Sequence, residues 1–217
     1  MRLFQIGFNK CATSALWRVF HKSNVAALHS QGRRWRLAGH PALQDRAAQL
    51  NIRRNIDAGR PAIEGFEDFQ AFFDMEYVTR STAVENYRQF ETLARDYPTA
   101  KFLLNTREKA DWLRSRARHK DGRYLHWSMR RTGLSRDAVL QMWSDDFDRH
   151  HDAVRAFFRF EQDRLLEFHI DTTPIKALQR FVLPELSIWP RFWRRFRVTD
   201  DVAAREGWSD EMALLAA

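Results

Sequence analysis

Two groups of residues in this 217-residue chain have the types and spacing to do chemistry, and both suit an anion. The first is Gly7-Phe8-Asn9-Lys10-Cys11-Ala12-Thr13-Ser14. It follows a short apolar run, Leu3–Ile6, and precedes Leu16, Val19 and Phe20 at a helical spacing. The pattern predicts a strand that turns through a loop into a helix starting at Thr13. Free backbone N–H groups and the positive end of the helix dipole point the same way at such a place. Lys10 adds a full charge, and Thr13 and Ser14 add hydroxyl donors. The second group is Arg107 and Ser115, the first at the end of the predicted strand Lys101–Thr106, the second inside the predicted helix Lys109–His119. A guanidinium fork and a compact hydroxyl at that spacing can converge on one phosphate.

The first loop is a poor match to an ATP or GTP site, which has four residues between two glycines and then Lys and Ser/Thr. Lys10 comes only three residues after Gly7. The loop instead resembles the 5′-phosphosulfate loop of the sulfotransferases that use 3′-phosphoadenosine 5′-phosphosulfate (PAPS), of the form Gly-Phe-x-Lys-Cys-Gly-Thr-Thr/Ser-x-Leu. Gly7 to Leu16 departs from that form chiefly at Ala12, a poorer fit where the backbone needs a positive φ. Asn105-Thr-Arg-x-x-x-Asp-Trp-Leu-Arg-Ser115 closely resembles the same family's site for the 3′-phosphate. The resemblance covers residues 2–183 and is nearest to compact bacterial members with an Asp-Met-Glu-Tyr stretch after the third strand, as at Asp74–Tyr77.

What the resemblance implies is sulfuryl transfer from PAPS to a hydroxyl or amine acceptor, with adenosine 3′,5′-bisphosphate released. It implies that Asn9, Lys10, Cys11, Ala12, Thr13 and Ser14 hold the 5′-phosphosulfate, with Lys10 on the bridging and leaving oxygens. Arg107 and Ser115 then hold the 3′-phosphate and select PAPS over ATP. Family members take their base from a His or Glu at the end of the second or third strand. Here His29 ranks first, and Glu64 and Asp68 are the alternatives, with Glu67 beside them. No metal is required, and no metal-ligand spacing is evident. Cys11, at a helix start, is open to a lowered pKa but reads better as a small residue lining the loop.

The elements that must position these groups read as an α/β domain: a mainly parallel five-stranded sheet flanked by helices, which the resemblance makes a P-loop NTPase-like sulfotransferase architecture. Strands are expected at Leu3–Ile6, Asn24–His29, Ala62–Phe66, Lys101–Thr106 and Leu165–Ile170. Helices are expected from Thr13, over Pro41–Ala58, along Val84–Tyr97, over Lys109–His119, Asp137–Arg159 and Pro174–Val182. Ser30–Arg36 reads as a loop, and Lys120–Gly133 as an ordered loop or broken helix. Right-handed crossovers bring the strand ends to one edge, where ligands bind in such folds. Residues 1–186 form the expected domain. Residues 187–217 form a basic, aromatic extension whose aromatics pack on that domain while its arginines face water.

Composition sets the outer bounds. The chain is 44% hydrophobic and 29% charged, ordinary for a soluble domain. The N-terminus runs straight into a strand and no run approaches the ~18 apolar residues of a membrane span, so a cytoplasmic location is expected. One cysteine excludes an intrachain disulfide. The net charge of +8 favours anionic partners without choosing among them. Arg33, Arg34, Trp35, Arg123, Tyr124 and Trp127 suit a sugar-binding cleft, so a small molecule or glycan is the expected acceptor. His119 and His126 flank the basic loop, and His150 and His151 read as structural. Peripheral membrane contact stays open because of the tail. A different P-loop kinase, a basic nucleic-acid-binding domain and a sulfotransferase fold that binds PAPS without turnover are the competing readings; the first two fit the two motifs less well.

Overall fold

The computed structural model describes residues 1–29 and 47–194. Residues 30–46, with Arg33, Arg34 and Trp35 and the first part of the helix expected over Pro41–Ala58, and the tail from Arg195 lie outside the described residues. The chain runs β1 (Leu3–Gln5), α1 (Thr13–Lys22), β2 (Ala27–His29), α2 (Ala48–Asp57), β3 (Ala71–Phe73), β4 (Glu76–Val78), β5 (Ala83–Glu85) and α3 (Phe90–Asp96). It continues through β6 (Lys101–Thr106), α4 (Lys109–Ala117), α5 (Arg123–Thr132), α6 (Arg136–Phe157), β7 (Leu165–His169) and α7 (Ile175–Val182).

Five strands form one parallel sheet in the order β2-β3-β1-β6-β7, and β4 and β5 form a separate antiparallel hairpin. The α/β fold with a five-stranded parallel sheet is therefore as expected. Strand alternation splits the core between two faces. Phe4, Phe72, Phe102 and Leu104 face one side, where Phe4 aligns with both Phe72 and Phe102, α4 and α6 bring Trp112 and Phe147, and the C-cap of α6 brings Phe158. Leu3, Ala71, Phe73 and Leu103 face the other, against Leu16, Trp17 and Phe20 of α1 and Leu178 and Val182 of α7. Strand β1 is central, with neighbours reached by crossovers in opposite directions. That is the switch point at which a parallel sheet opens a crevice beyond its strand ends.

Three expectations need correction. The third strand is β3, not Ala62–Phe66, which forms turns instead. Gly65 there takes φ +86°, and the Ile63 N–H donates to Tyr97 Oη at 3.0 Å rather than to a neighbouring strand. Short apolar runs look alike whether they are strands or buried turns, and the glycine decides it. Val84 is not helical but pairs with Tyr77 in the hairpin, and the helix follows a short 3₁₀ turn at Asn86–Gln89. The stretch Lys120–Gly133 is mostly the helix α5. Its two glycines sit at the caps in left-handed conformation, so they bound the helix rather than break it.

The first part of the C-terminal extension packs on the second face. Trp189 N–H donates to Ser23 Oγ at 2.8 Å, and the Trp193 ring lies 5.6 Å from that of Phe168. Among the described residues no helix is long and apolar enough to cross a membrane.

Candidate functional site

The loop Gly7–Ala12 leaves the end of β1 at the switch point, and α1 begins directly after it. Two of its residues adopt left-handed backbone: Lys10 at φ +64° and Ala12 at φ +59°. Ala12 is the N-cap of α1 and offers no side-chain cap, and no acidic residue lies in the first turn. The positive end of that helix is thus not neutralised by its own sequence. Gly7 is required for a different reason. A Cβ there would overlap the carbonyl and side-chain oxygens of Asn105 at the end of β6.

The inner side of the loop is clamped by buried polar groups. Asn105 Nδ2 donates to the carbonyl of Cys11 at 2.7 Å. Gln5 Nε2 donates to Asn105 Oδ1 and, at 2.5 Å, to the Gly7 carbonyl. Asn9 is held from three directions: Nδ2 donates to Glu76 Oε1 at 2.5 Å, Arg116 Nη1 donates to its Oδ1 at 2.5 Å, and Trp112 Nε1 donates to its carbonyl at 3.0 Å. Arg116 is 2% exposed, with its guanidinium 4.8–5.8 Å from the rings of Phe8, Trp112, Tyr124 and Trp143. Glu76 and Glu85 each lie 3.6 Å from it. Burial raises the Glu76 carboxyl to about 7 against the pull of Arg116.

The outer side carries the charged and hydroxyl groups. Arg107 extends from the end of β6, and its Nη1 lies 3.5 Å from the Lys10 carbonyl, across 97 residues of sequence. Its Nη2 is 3.8 Å from Asp111, and its Nε is buried with no partner among the described residues. Ser14, in the first turn of α1, places Oγ 3.3 Å from Nε2 of His29 at the end of β2. Nδ1 of His29 lies 3.9 Å from Asp74 Oδ2, and Asp74 sits just past β3 with φ +53°. The ends of β1, β2, β3 and β6 therefore bring Lys10, Ser14, His29, Asp74 and Arg107 to one edge of the sheet.

The structure also separates residues that the sequence grouped. Glu64 and Asp68 come before the true third strand, at the opposite edge of the sheet. Arg2, which precedes β1, donates to the Glu67 and Phe69 carbonyls at that edge, and Glu64 pairs with Arg60 at 3.2 Å. Neither carboxylate reaches the crevice. Asn9 and Cys11 keep their places in the loop, but their side chains turn inward. Burial pushes the Cys11 thiol up to about 12, outweighing Arg107, Arg116 and Lys10, so it is a neutral core group. Tyr124 is buried and donates to Glu76 Oε1 at 2.6 Å, which removes it from any sugar-binding surface. Ser115 lies in α4 and is buried. His150 and His151 are buried, His150 Nε2 at 2.7 Å from the Ile6 carbonyl and His151 Nε2 at 2.9 Å from Thr106 Oγ1. Burial lowers His150 to about 4.

Asp74, Gln5, Asn105, Glu76 and Arg116 were not anticipated as parts of the site. Asp74 was hidden by the misplaced third strand; a strand ending at Phe73 puts it in view. Arg116 looks like any helical surface arginine, and only the fold reveals its four aromatic neighbours.

A family model described as a sulfotransferase domain matches residues 2–143, from β1 into α6. A search of curated proteins finds no match. The matched stretch spans more than half of the 217 residues and carries both the loop after β1 and the Arg107–Ser115 pair, so the chain belongs to the sulfotransferase family.

Proposed function

We propose that this sulfotransferase takes its sulfuryl group from PAPS, passes it to a hydroxyl or amine acceptor such as a carbohydrate, and releases adenosine 3′,5′-bisphosphate. The observation that carries this reading is the meeting of Arg107 with Lys10, 3.5 Å apart through the Lys10 carbonyl. Two anion-binding groups from distant parts of the chain meet at one sheet edge, which suits a nucleotide with phosphates at both ends. The Nε of Arg107, buried with no partner among the described residues, and the uncapped start of α1 fit such a ligand.

When bound, PAPS supplies the activated sulfuryl group; the chain's residues bind, orient and move a proton. Lys10, the α1 N–H groups, Thr13 and Ser14 offer donors for the 5′ end, where negative charge builds on the leaving oxygen. Arg107 and Ser115 serve the 3′-phosphate and so exclude nucleotides that lack it. His29 is the base: its Nε2 faces the Ser14 hydroxyl at the crevice, and Asp74 on the other ring nitrogen favours the imidazolium formed on proton transfer. Phe8, Trp112 and Phe147 close the inner side against water.

Titration calorimetry tests the donor. Adenosine 3′,5′-bisphosphate is expected to bind without Mg²⁺, and ATP with Mg²⁺ to bind far more weakly. A preference for the triphosphate, or binding of oligonucleotides with no response to the bisphosphate, overturns the reading. A PAPS-dependent transfer screen over sugars, phenols and lipids then identifies the acceptor.

A further inference from the structure

The helix α4 carries more positive charge on the side of Ser115 than Arg107 accounts for. At 100° per residue, Asp111, Arg114, Ser115 and Arg118 fall within one strip about 100° wide. Three guanidiniums belong to that side: Arg107 just before the helix, Arg114 within it and Arg118 at its C-cap. Asp111 is the one carboxylate within ion-pair range of them among the described residues, 3.8 Å from Arg107 and 2.9 Å from Arg114. Arg118 has no ion pair or hydrogen bond through its guanidinium among the described residues, and its Nε is buried without a partner. Side chains on a helix lean toward its N-terminus, so Arg118 covers the turn that holds Ser115. Buried guanidinium N–H groups are costly unless they meet an acceptor. Three positive charges against one negative leave an excess of two, which matches the charge of about −1.5 to −2 on a phosphomonoester at pH 7.

We propose that Arg118 is a second guanidinium for the donor's 3′-phosphate, closing on it from the α4 side while Arg107 approaches from the end of β6. This rests on the donor reading given above. It makes α4, not the strand end alone, the element that distinguishes a 3′-phosphorylated adenosine from one without that group.

The test compares two nucleotides that differ only in that phosphate. Dissociation constants for adenosine 3′,5′-bisphosphate and adenosine 5′-monophosphate are measured by calorimetry on the wild-type protein and on Arg118→Ala, Arg118→Lys and Arg107→Ala. Arg118→Ala is expected to weaken the bisphosphate roughly 10- to 100-fold, the range for a hydrogen bond to a charged group, and to leave the monophosphate unchanged. Arg118→Lys is expected to recover part of the loss, because a point charge replaces a fork. Thermal melting of each variant separates lost binding from lost folding, and Arg118→Gln serves if the alanine variant is unstable. Bisphosphate binding that depends on Arg107 but not on Arg118 overturns this assignment alone. Equal weakening of both nucleotides also overturns it. No bisphosphate binding by the wild-type protein overturns the donor reading itself, and this assignment with it.

Discussion

The two sides of the loop Gly7–Ala12 are held very differently. On the inner side, Asn9 and the Cys11 carbonyl make hydrogen bonds of 2.5–3.0 Å to buried groups from β4, α4 and β6. On the outer side the spacings are longer: 3.3 Å from Ser14 to His29, 3.5 Å from Arg107 to Lys10, 3.8 Å from Arg107 to Asp111 and 3.9 Å from His29 to Asp74. The difference separates two tasks that one short loop performs. The inner bonds fix a backbone that places Lys10 and Ala12 in left-handed conformation. Among the described residues the outer groups are gathered at longer spacings, as expected where a ligand would draw them together; catalytic hydrogen bonds often tighten only in the complex. Breaking the inner side should therefore cost stability, and breaking the outer side should cost activity.

The largest expected effect lies on the inner side. Arg116→Ala leaves Glu76 buried without its cation and removes the donor to Asn9 Oδ1. Breaking a buried pair from one side costs about 3–5 kcal/mol. Denaturant unfolding should show that loss, and donor affinity should fall with it because the loop is no longer fixed. A cost under about 1 kcal/mol would mean that the clamp does not hold the loop.

Next comes the outer side. Lys10→Ala is expected to lower kcat by about 10²- to 10³-fold, the usual loss when a donor to developing negative charge is removed. Its melting temperature should stay within a degree or two of the wild type, since Lys10 is half-buried and its carbonyl, which faces Arg107, is kept in the variant. Activity at the wild-type level refutes its role; a large stability loss instead would show that the two sides are not separable.

A third test uses the proton on Glu76. Its folded pKa, about 7, lies above the ordinary 4.5, so the native state binds more protons than the unfolded state between those values. Stability from this group falls as pH rises through that window, by on the order of 3 kcal/mol in all. His150 acts with the opposite sign. Its folded pKa of about 4 lies below 6.5, so its contribution grows as pH rises from 4 to 6.5. The two slopes offset each other in the wild type, and the difference between proteins is the informative quantity. Relative to wild type, Glu76→Gln should gain stability as pH goes from 5 to 7.5, by on the order of 3 kcal/mol, beyond any constant offset. Parallel stability curves would show that Glu76 is already ionised at pH 5.

The two sides also differ in how far they could be read from sequence. The outer groups Lys10, Ser14, Arg107 and His29 were legible because each lies at the end of a strand or the start of a helix, and periodicity locates those ends. The inner groups were not. Asn9 and Arg116 are 107 residues apart, and Asn9 and Glu76 are 67 apart. No local pattern marks them as partners; only the tertiary packing of the β4–β5 hairpin and α4 against the loop brings them together. The misreading of Ala62–Phe66 as a strand had a similar origin. Its apolar residues are as buried as those of β3, but Gly65 and Pro61 shape a turn, and the error put Glu64 and Asp68 at the strand end where Asp74 stands. Helix α5 was missed because capping glycines look like breakers until the backbone between them is seen.

The smallest expected effect is at Ala12, where the sequence departs from the family's glycine. The backbone there is left-handed, φ +59° and ψ +26°, which an alanine adopts at a cost of about 1–2 kcal/mol. Ala12→Gly relieves that strain but adds unfolded-state entropy, so the net gain should be about 0.5–1 kcal/mol. For a chain of this length that raises the melting temperature by roughly 1–4 °C. The helix start is already formed with alanine, as the bond from Leu16 N–H to the Ala12 carbonyl at 2.9 Å shows. Affinity for adenosine 3′,5′-bisphosphate should therefore change less than about threefold, because the backbone amides that face the crevice do not move. A rise of tenfold or more would place Ala12 among the groups that limit donor binding.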